Sequence, residues 1–484
     1  GVRLVGSEMC IRDRYREVPV PDSLSLLPAI LAIAVVIWRK EVILALILAV
    51  ACAEVLLYLK QPELSVFAAL LHGPVQSLER IISVTSSADN SRILFFSLLI
   101  GALMAYMRDS GGVSAMVDWF IRKGVARTKR QAGFISYGIG ILVFIESNLS
   151  ALTAGIVSRG LYDKFKMSRA RLAYIVDSTS APVCILILLN GWGAYVLGLL
   201  STYNLPESAV SVLIGTIPLN FYALFTLMVV FYTIYTDKVY GPMKQAELEL
   251  NTVASHSDID TPASNASLML VPLLTLIVGM VGFMLWTGNG SLAEGSGAKA
   301  ALYATTLACV VAYGLMALTR KFNHQQLVTI GFRGMGELLP LVSIVLLSLA
   351  LGSAMKDLGT GVYVASFVKE STPLVLIPSL LFITGAIISF TTGTSWGTFA
   401  ILIPIGMPLV EMLGLPPSLI LAAILSGGIW GDHCSPISDT TVVSAVASGC
   451  DLLEHVKTQL PYALFCGVLA LIAFLISGWV MIGA

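Results

Sequence analysis

Two carboxylates, an imidazole and several hydroxyls crowd one stretch of this chain whose flanks are apolar. The stretch Gly427–Val443 reads GGIWGDHCSPISDTTVV and holds Asp432, His433, Ser435 and Asp439. With its apolar flanks it is long enough to cross a bilayer, which takes roughly 20 residues. Its glycines and proline would break a helix, and unpaired backbone groups survive at membrane depth only against protein or a water-filled cavity. A carboxylate at mid-bilayer costs about 3 kcal/mol, so the stretch predicts an ion or proton site.

The composition indicates a polytopic membrane protein. Of its 484 residues, 56% are hydrophobic and 12% charged, and the mean hydropathy is +0.86. A soluble domain carries roughly 25% charged residues. The formal net charge is zero, which removes any electrostatic case for nucleic-acid binding. The seven cysteines show no metal-ligand spacing and imply no disulfide framework, so we expect no cofactor and no metal beyond a transported ion.

The alternative for Gly427–Val443 is a polar loop between two short helices.

A second polar interruption lies where the chain is predicted to turn back on itself. The apolar segment Gln131–Arg159 has basic clusters on both flanks and Glu146, Ser147 and Asn148 in its middle. Cytoplasmic loops carry the excess of Lys and Arg, so both ends of this segment would be cytoplasmic. We therefore expect a re-entrant hairpin with these three residues at its tip; the alternative is a plain crossing.

The two halves of the chain repeat the same order of elements. The further polar breaks are Asp177 and Ser180 within Leu172–Leu200, matching Asp432 and Ser435, and Thr394 and Ser395 within Leu374–Leu413, matching the first hairpin tip. The second hairpin has few basic flanks, which suits entry from the outer face. The repeats would then be inverted, as in many secondary transporters whose helices break at mid-membrane. The predicted fold is all-α, with two inverted repeats that each contain a re-entrant hairpin and a broken transmembrane helix.

The predicted organisation has six parts. These are a non-native or disordered terminus at 1–23, N-terminal helices at 24–92, a first transport unit at 93–236, a cytoplasmic linker at 237–265, connecting helices at 266–334 and a second transport unit at 335–484. The terminus lacks the apolar core of a signal peptide, and its string VGSEMCIRDRY resembles translated sequencing adaptor. Single crossings are expected at Leu24–Trp38, Val42–Leu59, Ile93–Met107, Val210–Tyr235, Ala266–Trp286, Ala300–Leu318 and Leu338–Met355. Interfacial or amphipathic stretches are expected at Ser65–Val84, Val113–Ile121 and Val362–Val368.

Three motifs carry a resemblance to a known family. GDHCSPISDTT at 431–441, TTGTSWGT at 391–398 and ESNLSALTAG at 146–155 resemble the NhaC-type sodium/proton antiporters of the ion transporter superfamily. The resemblance runs from about Ile93 to the C-terminus. It implies exchange of Na⁺, with Li⁺ as a second cation, for H⁺ across the cytoplasmic (inner) membrane of a prokaryote, with a role in pH homeostasis and a homodimer by analogy. Because some members of the family couple organic acids to sodium, an exchanger of the malate/lactate type is the alternative function.

The polar breaks supply the oxygen ligands that a hard cation prefers. One half of the expected site consists of Asp432, Asp439, Ser435, Thr394 and Ser395, and the other of Glu146, Asn148, Asp177 and Ser180. Half-helix C-termini would add partial negative charge. If one carboxylate set binds either ion, loading one expels the other. Asp432 ranks first because His433, a candidate proton relay, titrates near neutrality beside it.

Purely structural roles are the alternative for several of these residues. Asp177 would cap the following half-helix, His433 would be a hydrogen-bonded structural imidazole, and Glu54 and Glu337 would pair with basic residues. An enzyme is disfavoured because no GxSxG elbow accompanies the hydrolase-like residue types around Asp432. A channel would not need two matched broken helices. The sequence therefore predicts a secondary transporter.

Overall fold

The computed structural model describes residues 23–39, 41–60, 66–112, 115, 127–144, 146–188, 190–200, 203, 205–249, 265–291, 295–320, 322–360, 363 and 372–483. Within these residues the chain is helical and contains no strand. The first half comprises α1 (Leu27–Arg39), α2 (Val42–Leu59), α3 (Val66–Val84), α4 (Ala88–Asp109), α5 (Lys129–Leu142), α6 (Ser147–Lys164), α7 (Arg169–Ser178), α8 (Ala181–Cys184), α9 (Gly191–Leu200), α10 (Ala209–Gly215), α11 (Phe221–Thr236) and α12 (Pro242–Leu248). The second half comprises α13 (Ser267–Thr287), α14 (Gly297–Leu318), α15 (His324–Glu337), α16 (Leu339–Leu358), α17 (Ile377–Thr392), α18 (Ser395–Leu413), α19 (Pro417–Cys434), α20 (Asp439–Ser448) and α21 (Leu452–Ile482). Apart from Ser23, Ala115 and Tyr363, the predicted terminus 1–23 and the amphipathic stretches Val113–Ile121 and Val362–Val368 lie outside the described residues.

The long apolar helices confirm a multi-pass membrane protein. In the part of the chain that the structure describes, eight helices are long and apolar enough to cross a bilayer: α2, α4, α13, α14, α16, α17 with the turn before it, α18 and α21. The predicted crossings at Val42–Leu59, Ala266–Trp286, Ala300–Leu318 and Leu338–Met355 are confirmed. The turn and helix at Leu24–Trp38 form a shorter apolar stretch within the described residues, so a full crossing there stays a prediction.

The crossing predicted at Val210–Tyr235 is not one straight helix. It bends by 40° between α10 and α11, where Pro218 lies in a 3₁₀ turn that ends before Asn220. Asn220 is fully buried, and its Oδ1 accepts a hydrogen bond of 2.6 Å from the hydroxyl of Ser426. This break was not predicted from the sequence, because an isolated Pro and Asn inside an apolar run are only a weak indication of a helix break.

A pair of helices is present at each predicted hairpin, while the re-entrant course of the two pairs stays a prediction. α5 and α6 pack against each other, and α5 has only 14 residues, too few to cross a bilayer alone. α17 ends at Thr392 and is followed by Gly393, whose φ of 68° is the left-handed conformation that favours glycine, and α18 begins at Ser395. Each arm of this second pair is long enough to span.

Both predicted broken helices are also present. α7 ends at Ser178 and α8 begins at Ala181, while α19 ends at Cys434 and α20 begins at Asp439. The glycines of α19 allow close packing against α17, because a Cβ at Gly431 would collide with the backbone of Ala386. The segment 427–443 is therefore the broken helix and not a polar loop.

The two halves are joined through the broken helices. α6 of the first hairpin packs along α20, and α7 packs against both α20 and α21. Arg159 of α6 donates to the carbonyl of Ala447 at 2.7 Å and also to that of Val446, while Arg169 donates to Ser448 at 2.9 Å. These guanidinium groups satisfy carbonyls that a helix leaves unpaired at its C-terminus.

Glu54 and Glu337, which the sequence left outside the site, have basic partners, as one interpretation predicted. Buried Glu54 accepts a bond of 2.7 Å from Arg80, which also pairs with Asp357 at 2.6 Å. Glu337 accepts two bonds, of 2.8 and 3.0 Å, from Arg108. This guanidinium lowers the pKa of Glu337. These carboxylates are stabilised by pairing.

Candidate functional site

A cavity of about 250 Å³ lies where the two halves of the chain meet. Four of the predicted residues line it: Glu146, Asn148, Thr394 and Asp439. Its wall also includes Ser147, Trp192, Trp396 and Glu337, together with apolar residues of α4 and α16. The structure thus brings both hairpin tips and the second broken helix to one space.

Glu146 has a structural task as well as a place in the cavity wall. It occupies the N-cap position of α6, where Oε1 accepts from the backbone N of Asn148 at 2.9 Å and Oε2 from that of Leu149 at 2.6 Å. A carboxylate is favoured at a helix N-terminus because the unpaired N–H groups carry partial positive charge. A carboxylate has about four acceptor positions, so Glu146 keeps acceptor capacity for a ligand.

Asp439 and Asn148 connect the first hairpin to the second broken helix. The side-chain Nδ2 of Asn148 donates to Oδ2 of Asp439 at 3.4 Å, and Oδ1 of Asn148 is buried with no partner among the described residues. Asp439 is the first residue of α20, and its side chain is exposed at the cavity. Thr394 caps α18 by accepting from the backbone N of Gly397 at 3.3 Å.

Asp432 lies behind the cavity wall. It is 1% exposed, and its Oδ2 accepts a hydrogen bond of 3.3 Å from the hydroxyl of Ser395, the residue after Thr394. Its Oδ1 is buried with no partner among the described residues. A buried polar atom without a partner carries a desolvation cost, so it marks a place for a cation or a proton.

Asp177 does not reach the cavity. It is 1% exposed and accepts hydrogen bonds from Gln459 at 2.7 Å, Thr441 at 3.2 Å, His455 at 3.3 Å and Ser444 at 3.3 Å. These partners come from α20 and α21. The interpretation of Asp177 as a helix cap is wrong, because Ser180 holds the N-cap position of α8 and Asp177 turns toward other helices.

His433 connects Asp177 to the bend between α10 and α11. Its Nδ1 lies 2.6 Å from the hydroxyl of Tyr222, and its Nε2 lies 3.3 Å from the hydroxyl of Ser178 and 3.8 Å from Oδ2 of Asp177. Gln459 donates to the backbone carbonyl of His433 at 2.7 Å. The imidazole is hydrogen-bonded, as the structural interpretation predicted, and it also has the connected partners that a proton relay needs.

Ser180 and Ser435 serve the two breaks. The hydroxyl of Ser180 donates to the carbonyl of Asp177 at 2.8 Å, and that of Ser435 donates to the carbonyl of Phe390 at 2.7 Å. Neither lines the cavity. Ser180 adds a second donor to the carbonyl of Asp177 at the first break, and Ser435 connects the second break to the last turn of α17.

Sequence reasoning missed the aromatic wall of the cavity. The rings of Trp192 and Trp396 lie 4.7 Å apart between centroids, and the hydroxyl of Tyr195 donates to the carbonyl of Trp396 at 3.0 Å. Asn190 caps α9 by accepting from the backbone N of Trp192 at 2.9 Å. A usable signal was present, because Asn190 and Thr394 each have a tryptophan two residues further on.

Sequence reasoning also missed His455 and Gln459. They lie four residues apart in the polar first turns of α21 and therefore on one face of this helix. The four-residue spacing of His455 and Gln459 was the feature of the sequence that could have identified this face.

The helix ends at the cavity are opposite to those expected. α6, α9, α18 and α20 all begin there, so four N-termini with partial positive charge face the cavity. The expected C-termini instead carry Asp177 and Asp432, outside the cavity wall. The first N–H groups are occupied by the chain's own caps, among them Glu146, Asn190 and Thr394. The capping groups therefore compete with any anion for these N-termini.

Comparison with known proteins identifies the family. A family model described as the Na⁺/H⁺ antiporter family matches residues 183–479. The chain belongs to this family. The motif resemblance is thereby confirmed, and the protein is a transporter.

Individual relatives differ in their sequence identity to this chain and in the length over which they match it. An uncharacterized protein of Haemophilus influenzae is 30% identical over 482 residues, which is 95% of this chain and 91% of that protein. A malate-2H⁺/Na⁺-lactate antiporter of Bacillus subtilis is 39% identical over 94 residues, 19% of this chain and 20% of that protein. The solved YdaH transporter of Alcanivorax borkumensis superposes with a TM-score of 0.55 at 14% identity, covering 83% of this chain and 89% of that one. This last likeness shows a shared fold.

Proposed function

We propose that this protein exchanges Na⁺, with Li⁺ as a second cation, for H⁺ across the cytoplasmic membrane of a prokaryote by alternating access. The observation that carries the proposal is the meeting of Glu146 and Asp439 in one cavity, with the unpartnered oxygen of Asp432 close behind its wall. Membership of the Na⁺/H⁺ antiporter family supports the choice of ions. The resemblance to NhaC-type proteins extends the proposal to a homodimer, which cross-linking in native membranes would test.

Cation binding follows from the oxygen atoms available. Carboxylate, amide and hydroxyl oxygens of Glu146, Asp439, Asn148 and Thr394 surround the cavity, and Na⁺ prefers such hard ligands. Asp432 and Ser395 form an inner pair that a cation would reach by displacing the 3.3 Å hydrogen bond between them. The ligands come from both halves, so a relative movement of the halves would open and close the site.

Coupling follows from competition for the same carboxylates. A proton on Asp432 removes the charge that holds Na⁺, and a bound Na⁺ disfavours the proton, so only one of the two ions is carried at a time. His433 is the proposed proton relay because its ring connects Tyr222, Ser178 and Asp177. Asp177 holds that ring in place and shares its proton network.

A pH-gradient dissipation assay in proteoliposomes tests the proposal. Na⁺, Li⁺ and K⁺ are added in turn, and wild type is compared with Asp432→Asn. Asp89→Asn is the matched control, since Asp89 only pairs with Arg92 at the start of α4. We expect Na⁺ to collapse the gradient in wild type and in the control but not in Asp432→Asn. A full response from Asp432→Asn would remove that residue from the site, and no response to any cation from folded wild-type protein would refute the exchange.

An exchanger of organic acids of the malate/lactate type is the second candidate. The four helix N-termini at the cavity favour it, since such ends attract carboxylates. It ranks lower because those N–H groups are capped and the carboxylates of Glu146 and Asp439 repel an anion. Addition of malate or lactate to the same assay separates the two: collapse that requires the organic acid would favour this candidate.

A further inference from the structure

The cavity has room for more than a metal ion. Each water molecule takes about 30 Å³ in the liquid. A space of about 250 Å³ therefore holds several waters or one small organic molecule. A desolvated Na⁺ held by Glu146 and Asp439 would leave most of it unfilled. The remaining volume accommodates water or a small organic molecule.

The charge of the wall selects for a cation. Of the described residues that line the cavity, three are acidic, Glu146, Asp439 and Glu337, and none is basic. Glu337 is already bound by both guanidinium nitrogens of Arg108. The carboxylates without a basic partner among the described residues therefore lie at the end formed by Glu146 and Asp439, where they accept hydrogen bonds from backbone N–H groups of Asn148, Leu149 and Thr440. The unpartnered Oδ1 of Asn148 is at the same end and is a further acceptor.

The rest of the wall is aromatic and aliphatic. Trp192 is 1% exposed and has an indole N–H with no partner among the described residues, and its ring packs at 4.7 Å from Trp396. Met104, Leu341 and Ile344 also line the cavity. Tryptophan faces attract organic cations more strongly than other aromatic rings do. The cavity thus has an acidic end and an apolar, aromatic body.

We propose that this cavity binds a small organic cation, a primary ammonium with an aromatic or aliphatic body, as a transported substrate. The proposal rests on the exchange function proposed above, because loading of Na⁺ or H⁺ on the same carboxylates would expel the ammonium group. The three N–H donors of the ammonium bond to Asp439, Glu146 and Asn148 Oδ1. Its body lies against Trp396, which packs on the buried ring of Trp192.

Three probes that share one phenyl ring test the charge requirement. Phenethylamine carries only an ammonium group, phenylalanine carries an ammonium and a carboxylate, and phenylacetate carries only a carboxylate. Binding to the purified, detergent-solubilised protein is measured by isothermal titration calorimetry at neutral pH. We expect phenethylamine to bind and phenylacetate not to bind. Binding of phenylacetate alone, equal binding of all three or no binding of any would overturn the proposal.

Variants locate the binding in this cavity. Asp439→Asn and Trp396→Leu should each weaken phenethylamine binding by roughly tenfold, because they remove the charge and the aromatic face. Trp396→Phe keeps a ring and should bind within a few-fold of wild type. The matched controls are Asp89→Asn and Trp479→Leu, the latter at an indole that is 73% exposed on α21. Unchanged affinity in both Asp439→Asn and Trp396→Leu would place the ligand elsewhere and overturn the proposal.

A transport assay distinguishes failure of the organic-cation proposal from failure of the exchange function on which it rests. Proteoliposomes loaded with phenethylamine are tested for uptake of the labelled amine, beside the Na⁺ assay described above. Na⁺-driven collapse of the pH gradient without amine binding would refute the inference and leave the exchange function standing. Amine uptake without any response to Na⁺ would refute sodium exchange and support the organic cation as the substrate.

Discussion

Gln459 donates from one side-chain nitrogen to the carboxylate of Asp177 at 2.7 Å and to the backbone carbonyl of His433 at 2.7 Å. Asp177 is near the end of α7, and His433 is near the end of α19. One amide on α21 therefore joins the two broken helices, at the point where each loses its regular backbone hydrogen bonds. The remaining oxygen of Gln459, Oε1, is buried without a partner among the described residues.

Replacement of Gln459 by Leu should destabilise the protein. Asp177 and the carbonyl of His433 would each lose a buried donor, which costs on the order of 1–3 kcal/mol per group. Thermal unfolding in detergent measures the change, and Gln325→Leu, at an exposed position of α15, is the control. A melting temperature equal to that of the control would show that the amide is not needed at the junction.

Replacement of Tyr222 by Phe should alter the pH profile of transport while leaving the fold intact. The hydroxyl of Tyr222 lies 2.6 Å from Nδ1 of His433, and such a bond fixes which ring nitrogen carries the proton. We expect a transport rate lower by roughly tenfold and a displaced pH profile. The rate is followed by gradient dissipation at a series of pH values, with Tyr232→Phe as the control on the exposed side of α11. An unchanged profile would remove His433 from the proton path.

Replacement of Arg159 by Ala should loosen the end of α20. Arg159 donates to the carbonyl of Ala447 in the last turn of α20 and adds a second donor to that of Val446, which also accepts from the backbone N of Gly449. The nearby thiol of Cys450 reports on this end, and burial raises its pKa to about 12, so it reacts slowly at neutral pH. We expect Arg159→Ala to speed alkylation of Cys450 several-fold, as measured by peptide mass mapping.

Two further measurements make the Arg159 experiment specific. Arg92→Ala, which breaks only the ion pair with Asp89, should leave the alkylation rate of Cys450 unchanged. The rate should rise with pH in both proteins, because the thiolate is the reactive form. Equal rates in wild type and Arg159→Ala would show that α20 holds its end without this side chain.

Replacement of Gly431 by Ala should be costly. A Cβ at this position would collide with the carbonyl oxygen of Ala386 and with the backbone N of Phe390, so α17 and α19 would have to separate. Overpacking of this kind costs about 1–3 kcal/mol. Gly314→Ala is the matched control, because no atom lies within 4 Å of its added Cβ and alanine favours helix. The melting temperature should fall for Gly431→Ala and should stay the same or rise for Gly314→Ala.

Local chemistry in the sequence determined the class of protein and the positions of its breaks. Apolar runs of membrane length, with Gly, Pro and carboxylates inside them, place the interruptions at Asp177, Thr394 and Asp432 whatever the packing, because helix breaking and burial cost act on neighbouring residues. The pairing of Glu54 with a basic residue was predictable for the same reason. A buried charge demands a partner.

Tertiary structure alone decided which breaks share a site. Glu146 and Asp439 meet at the cavity, whereas Asp177 faces His455 and Gln459 on the last helix. These partners are separated from Asp177 by 278 and 282 positions, and their contact depends on how whole helix faces pack. Sequence periodicity identifies a face of a helix but not the neighbour against which it lies. For that reason the aromatic wall and the orientation of the helix ends emerged only from the packed structure.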